Sequence, residues 1–367
     1  MNCLTLRSVL LLAGLVLTGA ALSFATAAEP KSSAMLQAAL DTARDQGWIE
    51  AVVSVSDPRP LLRFSTEVGG WQADSGAALP LSQQSFYLTS PAKGQQARHW
   101  LVTDRSRTPG FVRVIAFADP RSVAIRSGAN PWDTGGILSL MARSNRTAEV
   151  YRAAQALGWN AFNDPSELFL SDVNVKLTNV ILRGPDAISI SIYERLSPRL
   201  PADADLNKLR RPFNSMQSVR DIDMARRFYT EVLGFELLNR GDFINPVRAP
   251  NNFGTPANLV VARPLPFAIV GPRKSGPTQV ELIQMPGVEG RDLAQRAVPP
   301  NHGIMALRFP VSNLKVLKQR LDEHRWPIAR GPQLLDLPPW GEVTMLAVQS
   351  PDGAWLEFFE QVQHDRP

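Results

Sequence analysis

Residues able to do chemistry are sparse in this 367-residue sequence, and the best candidates are carboxylates set singly into apolar, strand-like runs. In Gln279-Val280-Glu281-Leu282-Ile283 and Trp355-Leu356-Glu357-Phe358-Phe359, period-two alternation sends Gln279, Glu281 and Ile283, and Trp355, Glu357 and Phe359, to one face. Asn214 and Met216 alternate in the same way, as does Arg308 within Gly303–Pro310. Gathered on one lining, these side chains make polar groups converge within an apolar and aromatic wall, which suits a small-molecule site. Two carboxylates facing each other in such a pocket repel, so one pKa rises and Glu281 and Glu357 become an acid/base pair. The competing outcome is that Arg308 neutralises Glu281 or Glu357 in a structural ion pair, the usual fate of buried carboxylates.

The elements that must hold these residues are written twice. Ser218 to Leu238, SVRDIDMARRFYTEVLGFELL, has a helix cap in Asp221, an apolar stripe from Ile222 to Leu233 at helical spacing, and Gly234 to end the turn. Ser54 to Trp71, SVSDPRPLLRFSTEVGGW, matches it without a gap 164 residues earlier. Repetition of a strand-helix-strand unit implies a chain assembled from copies of one module.

Four such copies are expected, each βαβββ. The first starts at strand Ile49 to Val55 and adds a helix over Pro58 to Val68, then strands near Gln84 to Thr89, His99 to Thr103 and Phe111 to Phe117. The second follows a Gly, Pro and Asp-rich linker at 118–136, and the third and fourth start at Pro212 and Gly303. Pro185-Asp186 and Pro351-Asp352 introduce the last strand of the second and fourth copies alike. The expected organisation is a signal at 1–28, a helical lead-in at 29–47, a domain of modules 1 and 2 at 48–196, a linker at 197–211 and a domain of modules 3 and 4 at 212–367.

The Asp-Ile-Asp-x-Ala-x-x-Phe-Tyr-x-x-Val-Leu-Gly-Phe string at 221–235 and the Pro-Asp-Gly-x-x-Leu-Glu string at 351–357 resemble the vicinal oxygen chelate superfamily. That superfamily includes glyoxalase I, the fosfomycin and bleomycin resistance proteins and the extradiol dioxygenases. The resemblance implies an α+β fold in which paired modules make curved, partly open, barrel-like sheets around a cavity. It does not imply one reaction, because the fold serves isomerases, lyases, transferases, dioxygenases and non-catalytic binders.

In metal-using members, a residue of the first strand, usually His, and a Glu of the last strand in each module ligate one ion. Those positions correspond to Asn214 and Glu281 in module 3 and to Ala306 and Glu357 in module 4. Both histidines are missing, and His302, His99 and His324 sit elsewhere. No metal or other cofactor is therefore expected; the alternative is Mg2+ or Mn2+ held by Glu281, Glu357 and Asn214. In the N-terminal half the positions fall on Glu50, Arg113, Ser139 and Ser191, and Arg113 is expected to pair with Glu50 in place of an ion. The C-terminal cavity is then the expected site, with Asn214, Met216, Gln279, Arg308, Trp355 and Phe359 binding ligand. Arg248, Arg273 and Lys274 offer a basic rim, and Phe253, Trp326 and Trp340 serve as gates or packing.

Composition narrows the partners. With 44% hydrophobic and 20% charged residues the chain reads as globular, and the net charge of +5 is spread without a Lys/Arg block, so nucleic acid is not an expected partner. Arg7, the apolar run Val9 to Leu22 and Ala25-Thr26-Ala27 read as a secretory signal cleaved after Ala27 or Ala28, which places the protein in the periplasm or outside the cell. The only cysteine, Cys3, lies within that signal, so thiol chemistry is not expected of the processed chain, nor is a membrane association once the signal is removed. The leading expectation is a binding protein or metal-independent enzyme for a small organic, optionally anionic, molecule. A metal-dependent lyase, isomerase or dioxygenase and a non-catalytic interaction module are the alternatives. Oligomeric state is open.

Overall fold

The computed structural model describes residues 29–88, 96–170, 174–200, 208–244, 248–249, 251–260 and 263–362, so the signal expected at 1–28 lies outside the described residues. Helix α1 (Glu29–Ala43) leads into module 1, which supplies β1 (Glu50–Ser54), α2 (Pro58–Arg63), β2 (Gln72–Ala73), β3 (Ala77–Ala78), α3 (Leu81–Tyr87), β4 (Arg98–Thr103) and β5 (Phe111–Ala116). Module 2 supplies β6 (Ser139–Ser144), α4 (Thr147–Ala156), β7 (Asn160–Ala161), β8 (Ser166–Leu170), β9 (Val175–Arg183) and β10 (Ser189–Ser197). Module 3 consists of β11 (Leu209–Ser218), α5 (Ile222–Arg227), β12 (Glu236–Phe243), α6 (Ala257–Val260), β13 (Leu265–Gly271) and β14 (Gln279–Ile283). Module 4 consists of β15 (Gly303–Pro310), α7 (Leu314–Glu323), β16 (Ile328–Asp336), β17 (Glu342–Gln349) and β18 (Trp355–Gln361).

The sequence repeat is a structural repeat in detail. Asp221 caps α5 by accepting from the Asp223 and Met224 amides, and Asp57 caps α2 by accepting from the Arg59 amide. Both helices then widen into a π-helical turn over the matching stretches Phe64–Val68 and Phe228–Val232. Both stop at glycines with positive φ, Gly70 at 70° and Gly234 at 76°. Their apolar faces, including Phe64, Val68, Ala225, Phe228 and Val232, sink into one large core between the two sheets. Phe64 stacks on Trp159 with ring centroids 4.1 Å apart, and Phe235 meets Phe309 at 5.4 Å.

The sheets correct the expected pairing of modules. One nine-stranded mixed sheet runs β16-β17-β18-β15-β1-β5-β4-β2, with β3 on β4, so it joins module 1 to module 4. The other runs β12-β13-β14-β11-β6-β10-β9-β7, with β8 on β9, and joins module 2 to module 3. Neither closes into a barrel. Modules 1 and 2, and likewise modules 3 and 4, instead meet through their helices in the shared core. The linker between modules 1 and 2 and the linker between modules 3 and 4 hold each other at the crossing: the Ile125 amide donates to His302 O, the Thr134 amide to Arg291 O, and Arg291 donates from Nη2 to Asp133 at 2.7 Å. Tied in this way, module 2 leaves the sheet of module 1 as module 4 leaves that of module 3.

A second correction concerns Gln84 to Thr89, expected as a strand. Gln84 to Tyr87 belong to α3, with Leu88 its extended C-cap, and the helix covers one sheet face with buried Gln83, Gln84, Phe86 and Tyr87. Gln83 fastens the helix to the opposite edge by donating to Asp336 O at 2.8 Å. That contact comes from module 4, which a local reading cannot weigh.

Candidate functional site

The inner faces of the two sheets have opposite fates. In the module 1–4 sheet, β1 and β15 run antiparallel with Glu50 opposite Arg308, and β18 sets Glu357 beside Arg308. Arg308 donates to Glu50 Oε2 at 2.7 Å and to Glu357 Oε2 at 2.6 Å, while Arg113 donates to Glu50 Oε1 at 2.6 Å. Trp340 donates to Glu50 at 2.7 Å, Tyr87 donates to Glu357 at 3.0 Å and accepts from Arg308, and Arg113 reaches His99 Nδ1 at 2.9 Å. Two guanidiniums thus balance two carboxylates, all four groups being at most 2% exposed. Burial raises the Glu50 pKa, but Arg113 and Arg308 overcome it and hold the group at about 2. Burial wins at Glu357, which has Arg308 as its one cation and whose Oε1 is unpartnered, so its pKa is raised. Burial and Arg113 lower the His99 pKa to about 4, leaving a neutral imidazole at pH 7. Phe111, Trp340, Trp355 and Phe359 fill the remaining space.

The module 2–3 sheet keeps a cavity of about 280 Å3. Its floor holds Glu281 on β14 and Asn214 on β11; Met141, Met216, Phe243 and Phe253 are among its apolar walls. Glu281 is 4% exposed, and its hydrogen bond among the described residues is one from Asn214 Nδ2 at 3.1 Å. Burial pushes its pKa to about 7, with Asn214 opposing only in part. The same fold thus carries one carboxylate held by two guanidiniums and another that, among the described residues, has no cation beside it at the floor of a cavity. The second is poised to hold or release a proton near neutrality.

The expected site is therefore split. Asn214, Met216, Gln279 and Glu281 come together at the cavity, and Ile283 lies beneath in the adjoining core. Arg308, Trp355, Glu357 and Phe359 belong to the other sheet, so Glu281 and Glu357 do not face each other and form no acid/base pair. The expected Glu50–Arg113 pairing is present, as is the structural role for Arg308, with Glu357 as its partner. Phe253 lines the cavity; Trp340 is buried in the ion-pair cluster, and Trp326 packs on Phe228. Arg273 pairs with Glu236 at 3.7 Å, away from the cavity lining, where neither Arg248 nor Lys274 is found. His302 approaches Ser54 Oγ at 3.3 Å near the linkers and is not part of the site.

Sequence reading overlooked Arg143, Tyr193 and Arg195, which line the cavity from module 2. The signal was present: from Ser139 and Ser191, alternation continues to Met141 and Arg143, and to Tyr193 and Arg195. Alternation within a strand does not show that module 2 shares its sheet with module 3, which is what brings these residues to Glu281. Asn179 and Asn252 are further lining residues; Asn252 donates to Asn179 Oδ1 at 2.8 Å, and Asn179 donates to Ser191 Oγ at 2.9 Å.

The residues at the superfamily's metal positions do not suit a metal. In the cavity, Asn214 turns its amide nitrogen to Glu281 and its oxygen to the Ser215 amide at 2.9 Å, while Ser191 Oγ is taken by Asn179. Glu281 is left as a single carboxylate donor. In the other sheet, the guanidiniums of Arg113 and Arg308 stand among the carboxylates where a cation would bind. Among the described residues, no group of three or more His, Cys, Asp or Glu could hold a metal ion.

Paired βαβββ modules with one cavity-bearing sheet define a class of protein. Residues 214–358 match the sequence model of the Glyoxalase/Bleomycin resistance protein/Dioxygenase superfamily, and the fold of the chain is consistent with a two-domain form of that superfamily's fold. The matched stretch runs from β11 to β18 and so contributes to both sheets. Among solved structures, the chain resembles glyoxalase I from Zea mays (TM-score 0.54, 13% identity, 86% of this chain and 92% of that one). A mutant of the maize enzyme gives a TM-score of 0.55 at 14% identity, over 89% of this chain and 96% of that one. A putative dioxygenase from Bacillus subtilis gives 0.52 at 11% identity, over 87% and 86%. At these identities the likeness is one of fold. No curated protein sequence matches the chain.

Proposed function

We propose that this protein binds a small, largely apolar organic molecule in the module 2–3 cavity, as a binding protein or as an enzyme that works without a metal. The observation that carries this reading is Glu281: a buried carboxyl without a cationic partner among the described residues, fixed by Asn214 and facing a cavity of about 280 Å3. In its protonated form Glu281 can donate to an acceptor on the ligand; in either form it can exchange a proton with a ligand atom held against it. The filled face of the module 1–4 sheet fits the third alternative, a structural or interaction role, for that half alone.

N-Phenyl-1-naphthylamine, an uncharged probe that fluoresces in apolar surroundings, tests the reading. Saturable one-to-one binding is expected, and Ile269→Trp, which adds bulk beside Glu281 on the cavity wall, should abolish it. A neutral ligand removes the remaining water from Glu281, so its pKa in the complex rises above its free value of about 7. Affinity should then be level below pH 7 and fall above it, by up to about tenfold per pH unit, with the dependence lost in Glu281→Gln. Absence of saturable binding, or binding indifferent to both substitutions, would sink the proposal.

We also propose export to the periplasm or beyond, on the strength of the 1–28 segment. The secreted or periplasmic chain should have the mass of a product starting at Ala28 or Glu29; recovery only as the uncut chain in the cytoplasm would overturn this.

A further inference from the structure

At the end of the cavity remote from Glu281, two arginines lack, among the described residues, the partners that buried arginines normally have. Strands β6 and β10 run parallel with Arg143 beside Tyr193, and β9 sets Asn179 on the other side of Tyr193. Arg195 lies two residues further along the same face of β10, and all four residues line the cavity. Glu281 is one strand beyond β11, opposite Met216, whereas Met141 is opposite Asn214 and Arg143 lies a further pleat away. The acid and the arginines thus occupy rows about two pleats apart, roughly 13 Å along the strands.

Arg143 and Arg195 are half-buried, and among the described residues neither makes an ion pair. The Nε of each is buried without a hydrogen-bond partner. Arg143 lies over the Phe213 ring at 4.5 Å, which orients its guanidinium but supplies no acceptor. The Tyr193 hydroxyl, close enough to Glu281, Arg143 and Arg195 to feel all three charges, also has no hydrogen-bond partner among the described residues. Its pKa is raised to about 12 by burial and then by Glu281, with Arg143 and Arg195 opposing, so the phenol remains a donor at working pH.

Positive charge accumulates beyond this point. A second cleft adjoins the cavity, sharing Arg143, Phe213 and Gln279 with it, and is also lined by Arg211. Burial lowers the Arg211 pKa to about 10, with neighbouring Arg143 and Arg210 adding to the shift and Asp104 opposing it. Cations that raise one another's energy in a partly dry site favour an anion bound among them.

We propose that Arg143 and Arg195, with the Tyr193 hydroxyl, bind the anionic group of an amphipathic organic acid whose apolar body extends through the cavity toward Glu281. The inference rests on the cavity being a ligand site and adds the ligand's class: a carboxylate, sulfonate or phosphate at one end and an apolar, preferably aromatic, body. The guanidinium fork suits two oxygens of such an anion, and Phe213, Phe243 and Phe267 provide a matching wall.

The probes 8-anilinonaphthalene-1-sulfonate and N-phenyl-1-naphthylamine share their rings and differ by the sulfonate. At pH 6, where Glu281 is mostly protonated, the wild type should bind the sulfonate at least about tenfold more tightly. Arg143→Met/Arg195→Met should bring the affinity ratio close to one with little change for the neutral probe, and Arg143→Lys/Arg195→Lys should restore part of the preference. Glu281→Gln should leave the ratio unchanged. A wild-type ratio near one, or a preference that survives the methionine substitutions, overturns the anion assignment and leaves the cavity reading standing. Failure of both probes to bind the wild type overturns both. If the methionine variant loses the neutral probe too, the lysine variant decides: a retained preference supports the assignment and an abolished one overturns it.

Discussion

Arg308→Met should destabilise the protein by about 3–5 kcal/mol, measured by urea unfolding at pH 7. The substitution leaves Glu50 with Arg113 alone and Glu357 with only the Tyr87 hydroxyl, all in a region closed to water. Most of the cost is the uncompensated charge at Glu357 rather than the loss of a favourable contact. Arg308→Met/Glu357→Met should therefore be more stable than Arg308→Met, because it removes one cation and one anion and leaves Glu50 balanced by Arg113. Additive costs would contradict this account of a neutral, mutually compensating cluster. Binding of N-phenyl-1-naphthylamine should be the same in wild type and the double variant, since the cluster and the cavity belong to different sheets.

The same cluster sets an acid limit. Because Glu50 is held at about 2 when folded, against about 4.5 for an ordinary glutamate, its contribution is complete above pH 4.5 and is lost as pH falls toward 2. Where the superfamily fold elsewhere accommodates a cation, this sheet has two guanidiniums covalently attached to the chain. That arrangement ties the first module to the last, through β1 and β15, without external material.

The module was legible because its information is local. Asp57 and Asp221 capping, the apolar stripe and the closing glycine lie within about five turns of one another, and every one is present in the fold. Module pairing was not legible, because it depends on contacts between distant strands and between linkers such as Asp133 with Arg291. That one gap propagated. It put Glu281 opposite Glu357, hid Arg143 and Arg195, and kept Tyr87 and Trp340 from being recognised as partners of the buried ion pairs. Face assignments survived it: Asn214, Met216, Gln279 and Glu281 do share a lining, because alternation within a strand is independent of which strand lies alongside.

Glu281→Gln should stabilise the protein above neutral pH, and the sign follows from proton binding. The folded group has a pKa of about 7 and the unfolded one about 4.5, so between these values the folded state holds more protons and stability falls as pH rises. At about 1.4 kcal/mol per unit, the loss completed by pH 8.5 is about 3 kcal/mol. Glutamine has nearly the same shape and can still accept from Asn214, but it has no charge to expose. Urea unfolding of wild type and Glu281→Gln should therefore nearly coincide at pH 4.5 and separate by about 3 kcal/mol at pH 8.5, with the variant the more stable. The comparison cancels Glu357 and Asp352, whose pKa values are also raised by burial. Parallel curves would mean that Glu281 is not held against its own ionisation. Separation would identify a carboxyl that costs the fold stability, has no cation among the described residues to offset it, and faces a cavity. Such a group contrasts with Glu50, whose burial is compensated, and is better explained by what binds beside it than by the fold it weakens.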